Sequence, residues 1–247
     1  MAYSGWAGSF QPTGHQSSSF MRVLPASLTR RLLVQLPFAA LPALAPQPAA
    51  AQSGVREGMS LFAGNKVEES IAVYDSIIAA QPGAKPYLWQ RGLALYYADR
   101  FEDGAEQFKV DVDVNPNDTE EQIWHLLCNA RRPGGSLESA RQAALTVGTD
   151  RRPVMRAAQA LFLGKADDSD LRSFAQKGGD GDRFYASLYL GLYAEATGDA
   201  TAAKARLKEA VGTKYAQQSG VSDPMVELAK VHVQRRGWVG GGGKSEL

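Results

Sequence analysis

The amino-acid sequence predicts an all-α fold, an α-α superhelix of stacked helix hairpins that ends in a C-terminal capping helix. The first observation behind this prediction is a repeat, because residues 58–82 match residues 92–116 when the chain is shifted by 34 positions. The second is that apolar residues in both segments recur at helical spacing and a proline ends each segment. The third is composition, since 247 residues with 44% apolar and 21% charged side chains can bury a core.

The charge balance and the cysteine count exclude several classes of function. The 27 basic and 26 acidic residues give a net charge of +1, which implies no strong attraction to nucleic acid or acidic membranes. A single cysteine, Cys128, rules out an internal disulfide framework and any zinc site that needs two thiolates. The three histidines, His15, His125 and His232, are too scattered to form a metal cluster. We therefore expect no metal, no cofactor, no small-molecule substrate and no nucleic-acid partner.

The first 52 residues are predicted to be a presequence that is disordered or cleaved. Residues 1–56 contain no Asp or Glu and are rich in Ser, Gly and Ala, which is typical of an organelle transit segment. Within this stretch, Arg30-Arg31 precedes an apolar run over residues 32–45 and then a run of small residues at 49–52. This order is that of an export signal. The run is interrupted by prolines and is too short to cross a membrane, so no integral membrane span is expected.

The paired arginines resemble a twin-arginine export signal. A transit-like stretch followed by such a signal resembles the bipartite presequence of thylakoid-lumen proteins, so a plastid location in the thylakoid lumen is our first prediction. A bacterial periplasmic precursor and a secretory protein are the alternatives, and Lys244–Leu247 partly matches an ER-retention tail. An N-terminal extension without a sorting role is a further alternative.

Two matched helix hairpins follow the predicted presequence. Each has a small residue in its first helix, a bulky residue in its second helix and a proline at its end: Gly58, Tyr74 and Pro82 in the first unit, and Gly92, Phe108 and Pro116 in the second. The small residues are expected to let the paired helices approach closely, and the bulky ones to fill the space between neighbouring units.

This pattern resembles the tetratricopeptide repeat (TPR) family, in particular the exported TPR adaptors of bacterial envelopes and plastids. Ser70 and Gly104 stand where the family usually has alanine. The resemblance implies a curved stack whose first helices line a concave face that recognises peptides or partner helices. We expect this repeat domain to cover residues 53–237.

The middle of the chain continues the pattern less regularly. A third unit around Trp124 has Cys128 in the small position and Ala144 in the aromatic position, with a two-residue slip. Residues 153–178 predict a shorter, degenerate helix pair. A proline in the first turn of a helix is favourable, so Pro153 marks the start of the first helix of this pair.

The last elements complete the predicted stack. Residues 190–210 form a clear unit again, with Gly191 and Leu207 among its matching positions. A final helix begins after Pro224 and is expected to cap the apolar end of the stack, as repeat arrays require. The Gly-rich tail 238–247 is expected to be flexible.

The resemblance places a partner-binding site on the first helices of the units. Trp, Tyr and Arg are enriched at binding hot spots, and the concave positions hold these types at one end and polar residues at the other. The predicted partner-binding residues are Phe62, Trp89, Tyr96, Tyr97, His125, Asn129 and Arg132. The alternative for each of them is that it packs between helices.

Catalytic chemistry is not indicated by any motif. His125 and Cys128 lie three residues apart on one helix face and could form a thiol–imidazole pair. However, Cys128 takes the small, buried repeat position, which favours an inert thiol. The acidic run 111–118 resembles the start of a calcium loop but has Pro116 and Gln122 where the loop needs Gly and Glu. We therefore predict a non-catalytic protein-binding adaptor with no catalytic residues, with a permanent structural subunit of a larger complex as the alternative and an enzyme last.

Overall fold

The computed structural model describes residues 49–218 and 223–239, and all regular structure in these residues is helical. The predicted all-α fold is confirmed. The helices are α1 Ala49–Ala63, α2 Val67–Ala80, the 3-10 helix Pro82–Tyr87, α3 Trp89–Tyr97, α4 Phe101–Val114, α5 Thr119–Arg131, α6 Leu137–Gln142, α7 Pro153–Phe162, α8 Ser169–Lys177, α9 Asp180–Ala196, α10 Ala200–Gly212, α11 Lys214–Gln217 and α12 Pro224–Arg235.

Most of the predicted presequence 1–52 and of the predicted tail 238–247 lies outside the described residues. Helix α1 begins at Ala49, before the predicted domain boundary. At the other end, Trp238 follows the predicted end of the domain and packs against the core, with its ring 5.5 Å from that of His232.

Three hairpins share one internal contact. In each, a glycine of the first helix lies against a bulky side chain of the second: Gly58 against Tyr74, Gly92 against Phe108, and Gly191 against Leu207. A methyl group at any of these glycines would come within 2.6 Å of the facing side chain. The predicted close approach of the paired helices is therefore confirmed at Gly58 and Gly92, and the structure adds the same contact at Gly191.

The same three hairpins turn in the same way. The second residue after the first helix has a positive φ in each case, at Asn65, Asp99 and Gly198. The next backbone N–H then bonds a carbonyl five residues earlier, from Lys66 to Leu61, Arg100 to Leu95 and Asp199 to Ala194, at 2.8–2.9 Å. This geometry satisfies carbonyls at the end of a helix. The recurrence of turn and contact in all three units shows that the repeat is structural as well as sequential.

The middle units are shorter. The second helix of the third hairpin, α6, has only 6 residues and starts from a capping box between Ser136 and Ser139. The predicted helix pair within 153–178 is present as α7 and α8, and Pro153 opens α7 as expected.

The last helix does not simply cover one end of the array. Helix α12 packs on α10 and also on α1, so the final element joins the last hairpin to the first. It covers part of the face that the first helices were expected to leave open. Within the described residues, no helix combines the length and the apolar character that a membrane span requires.

Candidate functional site

Two of the predicted binding residues are buried in the centre of the described domain. Tyr96 and Tyr97 on α3 are only 1% and 4% exposed. The Tyr97 hydroxyl lies 2.9 Å from Nδ1 of His232 on α12, and the two rings meet edge to face. In this structure, α12 therefore occupies the side of α3 that was expected to meet a partner.

A half-buried carboxylate completes this centre. Glu195 on α9 accepts hydrogen bonds from Arg236 at 2.6 Å and contacts Arg131 at 3.1 Å, and its Oε2 lies 3.6 Å from Nε2 of His232. Burial opposes the charge of Glu195, yet His232 and the two arginines hold its pKa below the ordinary value. Burial lowers the pKa of His232 to about 4, so this histidine is neutral near neutral pH. Apart from Nε2 of His232, which has no hydrogen-bond partner, the charged and polar groups of the centre thus have partners within the chain.

His125, Asn129 and Arg132 lie away from this centre. The Asn129 side chain donates to the His125 carbonyl at 2.9 Å, both residues are buried, and Arg132 is exposed at the end of α5. The α5 side chains that reach the centre are Trp124 and Arg131, one position earlier than the predicted His125 and Arg132. One residue rotates an α-helix by about 100°. The predicted alignment of the third unit was therefore displaced by one residue, and His125, Asn129 and Arg132 lie on a different side of α5 from the aromatic residues of the centre.

Phe62 and Trp89 line an open cleft beside the centre. The cleft consists of two adjoining pockets of about 250 Å³ each, which share Trp89, Leu93, Asp223 and Pro224. We call them the apolar pocket, also lined by Met59, Ser60, Phe62, Tyr74, Gln90 and Glu227, and the acidic pocket, also lined by Phe108, Asp118, Glu120, Glu121, Trp124, Tyr185 and Met225. Half-buried Trp89 stands where the two pockets meet. The cleft thus joins the starts of α3, α5 and α12.

Helix starts place two carboxylates in the acidic pocket. Asp118 caps α5 by accepting the backbone N–H groups of Glu120 and Glu121, and Asp223 caps α12 by accepting that of Met225. The positive end of each helix dipole favours these negative charges. The Tyr185 and Tyr215 hydroxyls also donate to Asp223, both at 2.8 Å. Both aspartates are therefore held in fixed positions with their hydrogen bonds satisfied.

Glu120 and Glu121 differ in their partners. Glu120 contacts Arg152 at 2.7 Å, and the Arg152 guanidinium lies 5.3 Å from the centre of the Tyr185 ring. Oε2 of Glu121 is buried and has no hydrogen-bond partner. Burial, together with the nearby carboxylates of Asp111, Asp118 and Glu120, raises the pKa of Glu121 to about 9. Of these two glutamates, Glu120 therefore has a cation as its partner and Glu121 has none.

Several buried polar atoms of the cleft lack a partner. Besides Glu121, these are the Tyr74 hydroxyl, Oε1 of Gln90 and Nε1 of Trp124. Each belongs to a side chain that lines one of the two pockets. A buried polar atom without a hydrogen bond costs about 1–3 kcal/mol. The side chains that line the cleft therefore carry donors and acceptors that no group of the described chain satisfies.

The thiol–imidazole pair is not arranged for nucleophilic chemistry. Burial raises the pKa of the Cys128 thiol well above its usual range, whereas nucleophilic attack needs the thiolate. Burial, together with the positive charges of Lys109 and Arg132, also lowers the pKa of His125 to about 4. Among the described residues, no group of three or more His, Cys, Asp or Glu side chains could hold a metal ion.

The residues of the acidic pocket were not predicted from the sequence. Asp118, Thr119 and the two glutamates after them signal a helix start, but nothing in the sequence indicates that Asp223 lies beside them. No protein-family model matches the chain, and no curated protein sequence matches it. The function is therefore argued from the cleft itself.

Proposed function

We propose that this chain is a non-catalytic protein-binding scaffold that holds a segment of a partner protein in the cleft. The observation that carries the proposal is the juxtaposition of an aromatic residue, Trp89, with two pockets whose buried polar atoms lack partners. Aromatic residues at the centre of a concave site are typical binding hot spots. The resemblance of the first two units to TPR hairpins supports the same function, since the cleft lies on their first helices.

The compartment belongs to the same proposal. The twin-arginine-like N-terminal segment supports export, to the thylakoid lumen in our first hypothesis and to a bacterial periplasm or the secretory pathway in the alternatives. In that setting the scaffold would assist the assembly or the stability of a membrane or lumenal complex. Fractionation of cells that express the tagged full chain separates these locations.

A permanent structural subunit is the alternative, and the surface weighs against it. Obligate interfaces are more hydrophobic than the rest of a protein surface. Among the described residues, the exposed large hydrophobic side chains are Tyr87, Val114 and Val239, on three separate segments. This scattered set favours a partner that binds in the cleft.

A matched pair of substitutions checks the proposal. We expect Trp89→Ala in the tagged full chain to lose the partners that the wild type captures from native extract, because the substitution removes the aromatic side chain shared by both pockets. Tyr87→Ala is the control, since Tyr87 is a nearby aromatic residue that is 40% exposed and lines neither pocket. Thermal unfolding followed by circular dichroism establishes that both variants are folded. Equal capture by both folded variants would contradict the proposal.

A further inference from the structure

The acidic pocket already shows how it holds one cation. Arg152 pairs with Glu120 at 2.7 Å and lies over the Tyr185 ring. An arginine between a carboxylate and an aromatic face combines an ion pair with a cation–π contact. The next residue on α5, Glu121, supplies a second carboxyl group of the kind that pairs with Arg152. It is a carboxyl group in the same pocket, close to aromatic side chains, but without a cation.

Two further groups of the pocket point to a ligand. The Trp124 side chain is 1% exposed and Glu121 is 5% exposed, and both line the acidic pocket. The Trp124 indole N–H has no acceptor, and Oε2 of Glu121 has no donor. A peptide that carries a basic side chain supplies both missing partners, a cationic donor for Glu121 and a backbone carbonyl for Trp124.

The apolar pocket favours an apolar side chain next to the basic side chain of such a ligand. Met59, Phe62, Leu93 and Pro224 give the apolar pocket an apolar lining, and its volume of about 250 Å³ exceeds that of one aliphatic side chain. Trp89 separates this space from the acidic pocket. A ligand that fills both pockets therefore has an apolar side chain close to a basic one.

We propose that the cleft recognises a basic, apolar segment of a partner protein, with an arginine or lysine side chain on Glu121 and an adjacent aliphatic side chain in the apolar pocket. This inference rests on the proposed function and adds the chemistry of the partner to it. Charge complementarity selects this occupant, since four carboxyl groups line the acidic pocket: Asp118, Glu120, Glu121 and Asp223.

Binding of a cation here is coupled to proton release. The charged groups nearest to Glu121 are Asp111 on α4 and its own neighbours Asp118 and Glu120. The other titratable or charged groups at the acidic pocket are Tyr185 on α9, Asp223 at the start of α12 and Arg152 at the start of α7. Burial raises the pKa of Glu121 to about 9, so the free protein holds this proton near neutral pH. A bound guanidinium favours the carboxylate and lowers that pKa. Affinity for the basic segment therefore increases as the pH rises towards the pKa of the free protein.

Fluorescence anisotropy with short labelled peptides provides the test. The probes are Gly-Leu-Arg-Leu-Arg-Gly and two analogues in which Gln or Glu replaces Arg. We expect the full-length protein to bind the Arg peptide at least about tenfold more tightly than the Gln peptide, and the Glu peptide most weakly. Between about pH 6 and about pH 8, affinity for the Arg peptide should increase by up to about tenfold per pH unit.

The substitution Glu121→Gln separates binding from folding. We expect this variant to bind the Arg peptide at least about tenfold more weakly and to lose most of the pH dependence, with the remainder arising from Glu120, whose pKa burial raises to about 7. Its unfolding midpoint in urea at alkaline pH should be equal to or higher than that of the wild type, because the variant no longer buries an unpaired ionisable group. Glu102→Gln makes the same chemical substitution at an exposed site on α4 outside both pockets and should bind like the wild type.

Several results would overturn the inference. One is equal affinity for the Arg peptide and the Gln peptide, and another is a Glu121→Gln variant that keeps the affinity of the wild type and its pH dependence. A third is displacement of the Arg peptide by an equal concentration of spermidine, which lacks carbonyl and aliphatic side-chain groups. A concentration-dependent dimer that Trp89→Ala abolishes would assign the cleft to a second copy instead. In all of these cases, capture of native partners that depends on Trp89 would still support the proposed function, so the two failures are distinguishable.

Discussion

The centre of the domain and the cleft lie side by side on the same first helices, yet they differ in how their polar groups are satisfied. In the centre, Tyr97 meets His232, and Glu195 is shared among Arg131, Arg236 and His232. In the cleft, buried atoms of Tyr74, Gln90, Glu121 and Trp124 have no partner. The chain therefore covers one part of the surface of its first helices with its own last helix and leaves polar atoms without partners in the adjoining part.

This difference indicates which part is structural and which part binds. A buried polar group with a partner in the same chain fixes the fold, whereas a buried polar group without one lowers stability. Functional sites commonly retain such destabilising features. Substitutions of the same type should therefore have different effects on stability in the two regions.

The largest effect is expected at Glu195. Glu195→Ala leaves Arg131 and Arg236 as half-buried cations without their carboxylate, so the free energy of unfolding should fall by about 3 kcal/mol, the lower end of the range for a buried ion pair. Urea unfolding followed by circular dichroism measures this loss. The control is Glu209→Ala, which removes a half-exposed carboxylate that pairs with Arg206 on α10 and should cost less than about 1 kcal/mol. Similar losses in both variants would show that the network of the centre has no special role.

A pair of tyrosines compares the two regions with one chemical change. Tyr97→Phe removes the hydroxyl that lies 2.9 Å from His232 and leaves a buried ring nitrogen without its partner, so it should cost about 1–3 kcal/mol. Tyr74→Phe removes a buried hydroxyl that has no partner, so it should leave stability unchanged or increase it. Both values come from the same urea titration. A loss in Tyr74→Phe as large as that in Tyr97→Phe would contradict the distinction between centre and cleft.

The repeat made much of the fold predictable from sequence. Gly58, Gly92 and Gly191 are each followed by a bulky residue at a fixed distance, and the structure places each pair in contact. Such contacts can be predicted from the sequence because the residues that specify each hairpin lie within that hairpin. The helix start at Pro153 was predictable for the same reason.

The position of the site was less predictable because it depends on register and on long-range contacts. On α5, a shift of one residue separates the predicted His125 from Trp124, which is the side chain that lines the cleft. The contact of α12 with α1 and the meeting of Asp118 with Asp223 join residues that are far apart in the chain. Neither has a local sequence signal, so Tyr96 and Tyr97 were expected to be open although they are buried.

Hydrogen–deuterium exchange of the full chain, alone and purified with its captured partner, tests most directly whether the cleft is where a partner binds. We predict slower exchange in the first turns of α3, α5 and α12, which surround the cleft, and unchanged exchange in the part of α9 around Glu195. Faster exchange throughout α12, with new protection around Tyr96 and Tyr97, would show that the partner displaces the last helix from the centre, and it would contradict this account.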